Sequence, residues 1–320
     1  MTRQSALQKA ILDTLAWYAA FGVSLTGFEV WQRLWLGDQV VRESLATPRI
    51  ALSEVMTILT KLASEPHVTH DSGYYRLTDH THPTADRLWA ARMAVAKLER
   101  ITRFRSLFTL APFVRVVLVP GSIGALQANE DSDYDIFVIV QAGHIWTARA
   151  ILLFLFQIFG VRRHGKYIVD RFCLNTLVST DGLLVVPSDR YAAHEYTNAY
   201  FLSGDFSLYQ KFFLTNRVWS ESLPNFSLPT LPPTFHRQPR PVWVWLQHVG
   251  EWLLSPRWVE DKLRQWQKAK IQSNSEYTTP GGYFSITDER LVFLPEPRGP
   301  LVWGKYQEYL SNVVADQYRK

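Results

Sequence analysis

Two apolar runs of strand length, Val114-Arg115-Val116-Val117-Leu118-Val119 and Ile136-Phe137-Val138-Ile139-Val140, bracket a polar segment. Runs rich in β-branched residues favour strands. Pro120-Gly121-Ser122 follows the first run at once, and Asp131-Ser132-Asp133-Tyr134-Asp135 opens the second. One strand therefore delivers a Gly-Ser pair to a turn, and the next begins on two carboxylates. Ten residues separate Ser122 from Asp133. No other stretch of the chain restricts so narrowly what can be built around it.

The residue types explain the restriction. Glycine lets a backbone approach a ligand closely, and N–H groups at a following helix start, with the Ser122 hydroxyl, can hold phosphate oxygens. Side chains alternate along a strand, so Asp133 and Asp135 leave one face and can converge on one metal while Tyr134 points away. Paired carboxylates suit Mg²⁺ or Mn²⁺, because such a hard cation takes one or two of them and fills its shell with substrate phosphates and water. A plainer reading is a polar turn ahead of a buried strand, since Asp and Ser are ordinary turn residues.

With Gly121, Ser122, Asp133 and Asp135 at this spacing, residues 113–179 resemble the DNA polymerase β-type nucleotidyltransferase superfamily. Its signature is a Gly-Ser turn followed by Asp-x-Asp on the next strand. The resemblance implies that Gly121 and Ser122 hold a nucleoside triphosphate. It also implies that Asp133 and Asp135 bind the metals for in-line attack by an acceptor hydroxyl on the α-phosphorus, with pyrophosphate leaving. The whole chain is similar to a group of prokaryotic proteins with an N-terminal winged helix, this core and a helical C-terminal part. Neither resemblance names the acceptor, which is a small molecule, a protein or a nucleic acid.

Superfamily members usually add a third carboxylate on a later strand. The matching run here is Tyr167-Ile168-Val169-Asp170-Arg171-Phe172-Cys173-Leu174, in which Asp170 is the acid. Two roles fit Asp170: third metal ligand and general base, or an ion pair with neighbouring arginines. Asn175 is a neutral substitute ligand. Ahead of this run, Arg162, Arg163 and Lys166 form a cluster that can neutralise a triphosphate, or can simply complement a helix C-terminus. If Asp170 stays away from the metals, the alternative is a non-catalytic regulator that senses a nucleotide and binds DNA through its winged helix.

The N-terminal third reads as three helices and a hairpin. Leu7, Ile11, Leu15 and Tyr18 recur at helical spacing, with Gly22 as the stop. Thr26 with Glu29 forms a capping box for a helix running to about Leu36. After a connector around Pro48, Ser53 caps a third helix that presents Val55, Ile58, Leu59 and Leu62. His67–His70 and Tyr74–Leu77 then flank a turn at Asp71-Ser72-Gly73. The third helix offers Lys61 against Glu54 and Glu65, a poor balance for reading DNA, so docking or dimerisation competes with DNA binding.

From Thr84 to about Leu110 a long helix carries Arg87, Arg92, Lys97, Arg100, Arg103 and Arg105. It is either a solvated face or a wall toward RNA or polyphosphate. A formal net charge of +5 points the same way without deciding it. Farther on, Tyr191, Ala192, Glu195, Tyr196 and Tyr200 suggest a helix whose aromatic face either stacks on a base or, as such stripes ordinarily do, packs in the core.

The C-terminal part begins with a proline-rich connector near 224–241. Trp243, Trp245, Trp252, Trp258 and Trp266 follow, interleaved with Arg257, Lys262, Arg264, Lys268 and Lys270. An interfacial membrane helix has this composition, and so does a helix packing tryptophans on its own core. Glu251, Glu260 and Asp261 weigh against anionic lipid, and a membrane partner is not expected.

The apolar run 145–161 is interrupted by Arg149 and Gln157 and is short for the ~20 residues a bilayer needs, so it reads as a buried helix. Cys173 is the one cysteine, which excludes an internal disulfide framework or a cysteine-based zinc site. His67 with His70, and His80 with His82, stand without cysteine partners and do not read as zinc ligands. With no signal-peptide pattern at the N-terminus, a cytoplasmic location is expected.

The expected whole is an α+β chain: a winged-helix domain over 1–83, a connecting basic helix over 84–112, and a nucleotidyltransferase core of mixed sheet and flanking helices over 113–223. A tryptophan-rich helical region over 224–320 completes it.

Overall fold

The computed structural model describes residues 1–45, 50–79, 84–230, 240–274 and 279–317, with side chains to 312. Pro48, His80, His82 and residues 231–239 of the proline-rich connector lie outside the described residues. The chain is mixed α+β and divides into two compact units: 1–89 with 217–228 and 298–320, and 90–216 with 229–297.

The first unit opens with α1 (Arg3–Ala19), capped by the Thr2 hydroxyl. The Leu7, Ile11, Leu15 and Tyr18 stripe is buried. β1 (Leu25–Thr26) leads into α2 (Gly27–Gln32), where the Glu29 N–H donates to Thr26 Oγ1 at 3.2 Å and the Thr26 N–H to Glu29 Oε2 at 2.9 Å. This helix stops four residues before the expected Leu36, and Asp38 caps a further short helix, α3 (Gln39–Ser44), that periodicity did not reveal.

α4 (Leu52–Leu62) buries Val55, Ile58, Leu59 and Leu62 as expected. Ser53 does not cap it. The cap position falls two residues earlier, on Ala51, which has no capping side chain, so the Glu54 carboxylate takes the Ala51 N–H instead at 2.9 Å. β2 (Val68–Asp71) and β3 (Tyr74–Leu77) pair antiparallel, and β1 joins them in the order β1-β3-β2. Both turn residues have positive φ, 52° at Ser72 and 85° at Gly73. That is the backbone a two-residue hairpin with the right-handed strand twist requires.

α5 (Thr84–Arg103) begins in the first unit and continues into the second. The expected single helix to Leu110 is broken at Phe104, after which α6 (Arg105–Leu110) follows. The second unit then runs through β4 (Val114–Val119), α7 (Gly121–Gly124), β5 (Tyr134–Val140) and α8 (Ile145–Ile158). β6 (Phe172–Ser179), α9 (Arg190–Thr197), β7 (Tyr200–Gly204) and α10 (Phe206–Thr215) come next. α8 is buried along one face, through Trp146, Leu152 and Phe156, while Phe154 and Ile158 are exposed.

α11 (Val218–Ser222) returns to the first unit, and α12 (Pro241–Leu254) and α13 (Arg257–Gln272) belong to the second. A hairpin of β8 (Tyr283–Ile286) and β9 (Arg290–Leu294) completes the second unit's sheet, in the order β7-β4-β5-β6-β9-β8. This hairpin corrects the expectation of a purely helical C-terminal region. Leu291 and Phe293 alternate inward along β9, a period of two too short to stand out in sequence.

α14 (Arg298–Gln317) rejoins the first unit, where the Tyr306 hydroxyl donates to Asp13 and Trp17 meets the Tyr306 ring edge-on at 5.4 Å. No helix among the described residues is long and apolar enough to cross a membrane.

Candidate functional site

The two predicted strands lie side by side and antiparallel, with Leu118 opposite Phe137. The end of β4 and the start of β5 therefore meet. Val117 and Val119 of β4 and Ile136, Val138 and Val140 of β5 are fully buried in one core, which fixes which end of the sheet carries the polar residues. Gly121 leaves the sheet with φ +69°. A Cβ on it would stand 3.0 Å from Asp135 Oδ2, so the carboxylate would have to give way by a few tenths of an ångström. The turn and the second carboxylate are thus packed against each other through the missing side chain.

We expect Gly121→Ala to combine the ~1 kcal/mol penalty of a left-handed alanine with this contact. A lowered denaturant midpoint together with displaced Asp135 chemistry is the expected outcome. A variant matching the parent in both stability and nucleotide binding would show that the turn is not held this tightly.

Ser122 Oγ lies 3.4 Å from Ser132 Oγ, and Ser132 in turn donates to Asn129 Oδ1 at 2.8 Å. The loop between the two strands is stitched to itself just ahead of the carboxylates. Asp133 Oδ2 accepts from Arg163 at 2.7 Å, and Asp135 Oδ1 accepts from Asn175 Nδ2 at 2.5 Å.

β6 runs parallel to β5 with Cys173 opposite Asp135. One oxygen each of Asp133 and Asp135, with the Cys173 sulfur, all lie within 4.8 Å of one another, the one such group among the described residues. Sequence reading left Cys173 out of the site. The signal was available, since Cys173 and Asn175 are two apart on a strand and so share a face.

Burial pushes the Cys173 thiol up to about 12, helped by the neighbouring Asp135 charge. It therefore stands in the site as a neutral thiol, donating to Asn175 Oδ1 at 2.7 Å and accepting from Arg163 at 3.2 Å. Arg163 loses some hydration by burial, yet the Asp133 and Asp135 charges hold its pKa above the ordinary guanidinium value. Arg163 is the predicted cation that reaches the carboxylates.

Arg162, one residue back in an extended segment, makes its bridge through the backbone to Phe172. Lys166 sits on an exposed turn, its ammonium 5.7 Å over the Tyr167 ring.

Asp170 is not brought to this group. It does not lie in a strand, because β6 starts only at Phe172, and it occupies a turn with φ +55°. Its carboxylate accepts from Lys97 at 2.7 Å and from Arg100 at 2.6 Å. Burial pushes its pKa up, but hydrogen bonds from Lys97 and Tyr134 and the charges of Lys97 and Arg100 outweigh this and leave it lowered. Tyr134 is the residue whose side chain alternates away from Asp135, so a carboxylate bonded to Tyr134 faces the other side of the sheet. Of the two roles open to Asp170, the ion pair is the one formed.

The same contacts bear on the basic stretch of α5. Arg87 pairs with Glu29 at 3.0 Å, and Lys97 and Arg100 pair with Asp170. Half of that charge is consumed internally, while Arg92 and Arg103 are exposed. The expected helix through Tyr200 ends at Thr197, and Tyr200 opens β7; Tyr196 turns inward, packing on Phe137 at 5.1 Å and on Phe212 at 5.6 Å.

A second residue that sequence reading did not place in the site is Glu195 of α9, whose Oε2 accepts the Gly121 N–H at 3.0 Å. Seventy-four residues separate the pair, so no local spacing could have joined them. No protein family, curated protein or solved structure matches the chain.

Proposed function

We propose that this protein is a divalent-metal-dependent nucleotidyltransferase that moves a nucleoside monophosphate from a nucleoside triphosphate to a hydroxyl, releasing pyrophosphate. The observation that carries this reading is the convergence of Asp133 and Asp135 beside the Gly121-Ser122 turn, whose glycine packs closely on the Asp135 carboxylate. A polar turn ahead of a buried strand would not need its carboxylates gathered on one side against a glycine.

The donor set fits Mg²⁺ or Mn²⁺, which binds through one or two carboxylates and takes its remaining ligands from phosphates and water. Asp133 and Asp135 would hold it, and when bound it supplies charge neutralisation for the phosphates. Ser122 offers a hydroxyl, and Arg163 a guanidinium whose fork suits phosphate oxygens. Glu195 braces the turn from α9. Nucleotidyl transfer asks a protein mainly for positioning and charge stabilisation, so a site of few groups is sufficient. The β4–turn–β5 arrangement supports a polymerase β-like centre for the second unit. The helices α1, α2 and α4 with the β1-β3-β2 sheet support a winged helix for the first.

One observation favours a second reading. The position beside Asp135 on β6 holds a neutral thiol where a third carboxylate is usual, and Asp170 is engaged elsewhere. A site of two carboxylates suits a nucleotide-sensing regulator as well as an enzyme.

Incubation with α-labelled nucleoside triphosphates, Mg²⁺ or Mn²⁺ and cell extract separates the two. We expect label on an acceptor and stoichiometric pyrophosphate. Nucleotide binding by calorimetry without pyrophosphate release for any of the common triphosphates would overturn the enzymatic reading in favour of the sensor.

A further inference from the structure

α12 and α13 leave four of the five tryptophans of this region exposed. Trp252 is 76% exposed, Trp258 67% and Leu253 58%, all within seven residues around Ser255-Pro256, where one helix gives way to the next. Trp245 lies two turns back from Trp252 on α12 and is also exposed. On α13, Trp258, Lys262, Trp266 and Lys270 recur every fourth residue and are all exposed, so one helical face alternates indole with ammonium. These tryptophans do not pack on the protein's own core.

The acids that would repel an anionic surface are each engaged by a donor of the protein itself. Glu251 accepts from Arg115 at 2.7 Å and from the Phe113 N–H at 2.9 Å. Glu260 is buried, accepting the Trp146 and Thr147 N–H groups at the start of α8 at 2.9 Å each. Asp261 pairs with Arg264 at 2.5 Å, and Arg264 also reaches Asp288 at 2.8 Å. α12 and α13 contain no other acid. What faces outward is therefore apolar and cationic, with Arg257, Lys262 and Lys270 all exposed.

We infer that the α12–α13 face adsorbs to the surface of an anionic lipid bilayer. Indole is amphipathic and settles at the headgroup level, and cations beside it are attracted by anionic headgroups. Contact with a lipid surface needs no spanning helix. A second copy of the chain fits this face less well, because a twofold contact sets the same cations against each other. Single-stranded nucleic acid would stack on the tryptophans but leaves Leu253 at the tip with nothing to cover it. The inference is independent of the nucleotidyl-transfer reading.

Co-sedimentation of the full chain with phosphatidylcholine vesicles, with and without phosphatidylglycerol, tests it. Binding is expected only to the anionic vesicles, and it should weaken with added salt. Trp252→Ser/Trp258→Ser should abolish it. Lys262→Gln/Lys270→Gln should loosen it by about five-fold per charge removed. All four positions are exposed, so the far-UV circular dichroism and the urea midpoint of both variants should match the parent. Failure to sediment with anionic vesicles at low salt, or equal partition of parent and both variants, overturns the inference. So does a concentration-dependent dimer, or a single-stranded RNA complex, that the same substitutions abolish while vesicle binding stays absent.

Discussion

Asp133→Asn/Asp135→Asn is expected to lower nucleotidyl transfer by at least about a thousandfold, because both groups proposed to carry the metal lose their charge at once. The substitution keeps the shape of each side chain. Its cost to folding is expected to stay under ~1 kcal/mol, since Asp133 pairs with an Arg163 that is itself 39% exposed. A loss of activity therefore reads on chemistry, provided the denaturation curve is unmoved. Metal-dependent nucleotide binding should fall with it. Equal label transfer by parent and variant would remove Asp133 and Asp135 from any catalytic role. Asp170→Asn is the informative companion. It should leave metal-dependent binding in place, because Asp170 faces Lys97 and Arg100 on the other side of β5.

Lys97→Met is expected to destabilise the second unit by about 3 kcal/mol, the lower end for breaking a buried pair, because Asp170 keeps partial access to solvent. Lys97 is 1% exposed, and its ammonium donates to the Glu130 carbonyl at 2.9 Å, the Ser132 carbonyl at 2.9 Å and Asp170 at 2.7 Å. Methionine fills the space and leaves all three acceptors without that donor. The two carbonyls belong to the loop that leads into Asp133, so the same change should loosen the carboxylates. Urea denaturation reads the first effect and metal-dependent nucleotide affinity the second.

The pH dependence has a definite sign. The Asp170 pKa is lowered on folding, so its stabilisation is whole above the ordinary carboxylate value and is lost as pH falls through the lowered folded value. Lys97→Met should flatten that acid limb. An unchanged limb, or a variant as stable as the parent, would mean that Lys97 is not the anchor its contacts describe.

Local patterns in the sequence reached far into this protein. The capping box at Thr26, the buried stripes of α1 and α4, the β2–β3 hairpin and the two core strands each follow from residues within one turn or one strand of each other, although Asp71, read as part of the turn, ends β2. What escaped were features settled at a distance. The β8–β9 hairpin exists because an edge of the sheet was available for it, and α3 because Asp38 could cap a helix too short to show a period. Ser53 had the right chemistry for a cap, but the cap position fell two residues earlier, on Ala51.

For the candidate site the same division holds. Alternation along one strand set Asp133 and Asp135 together, and glycine chemistry put a close approach at Gly121; both are local and both were readable. The parallel register of β5 with β6 decided that Cys173 and Asn175, not Asp170, stand beside Asp135. A fold that brings α9 to the turn decided that Glu195 holds Gly121. The sequence by itself determined which groups are capable of metal and phosphate chemistry, because that capability resides in the side chains and their nearest neighbours. Only the tertiary structure decided which of them meet and which charges are spent on one another, because a register shift or a turn before a strand moves a carboxylate from one face of a sheet to the other.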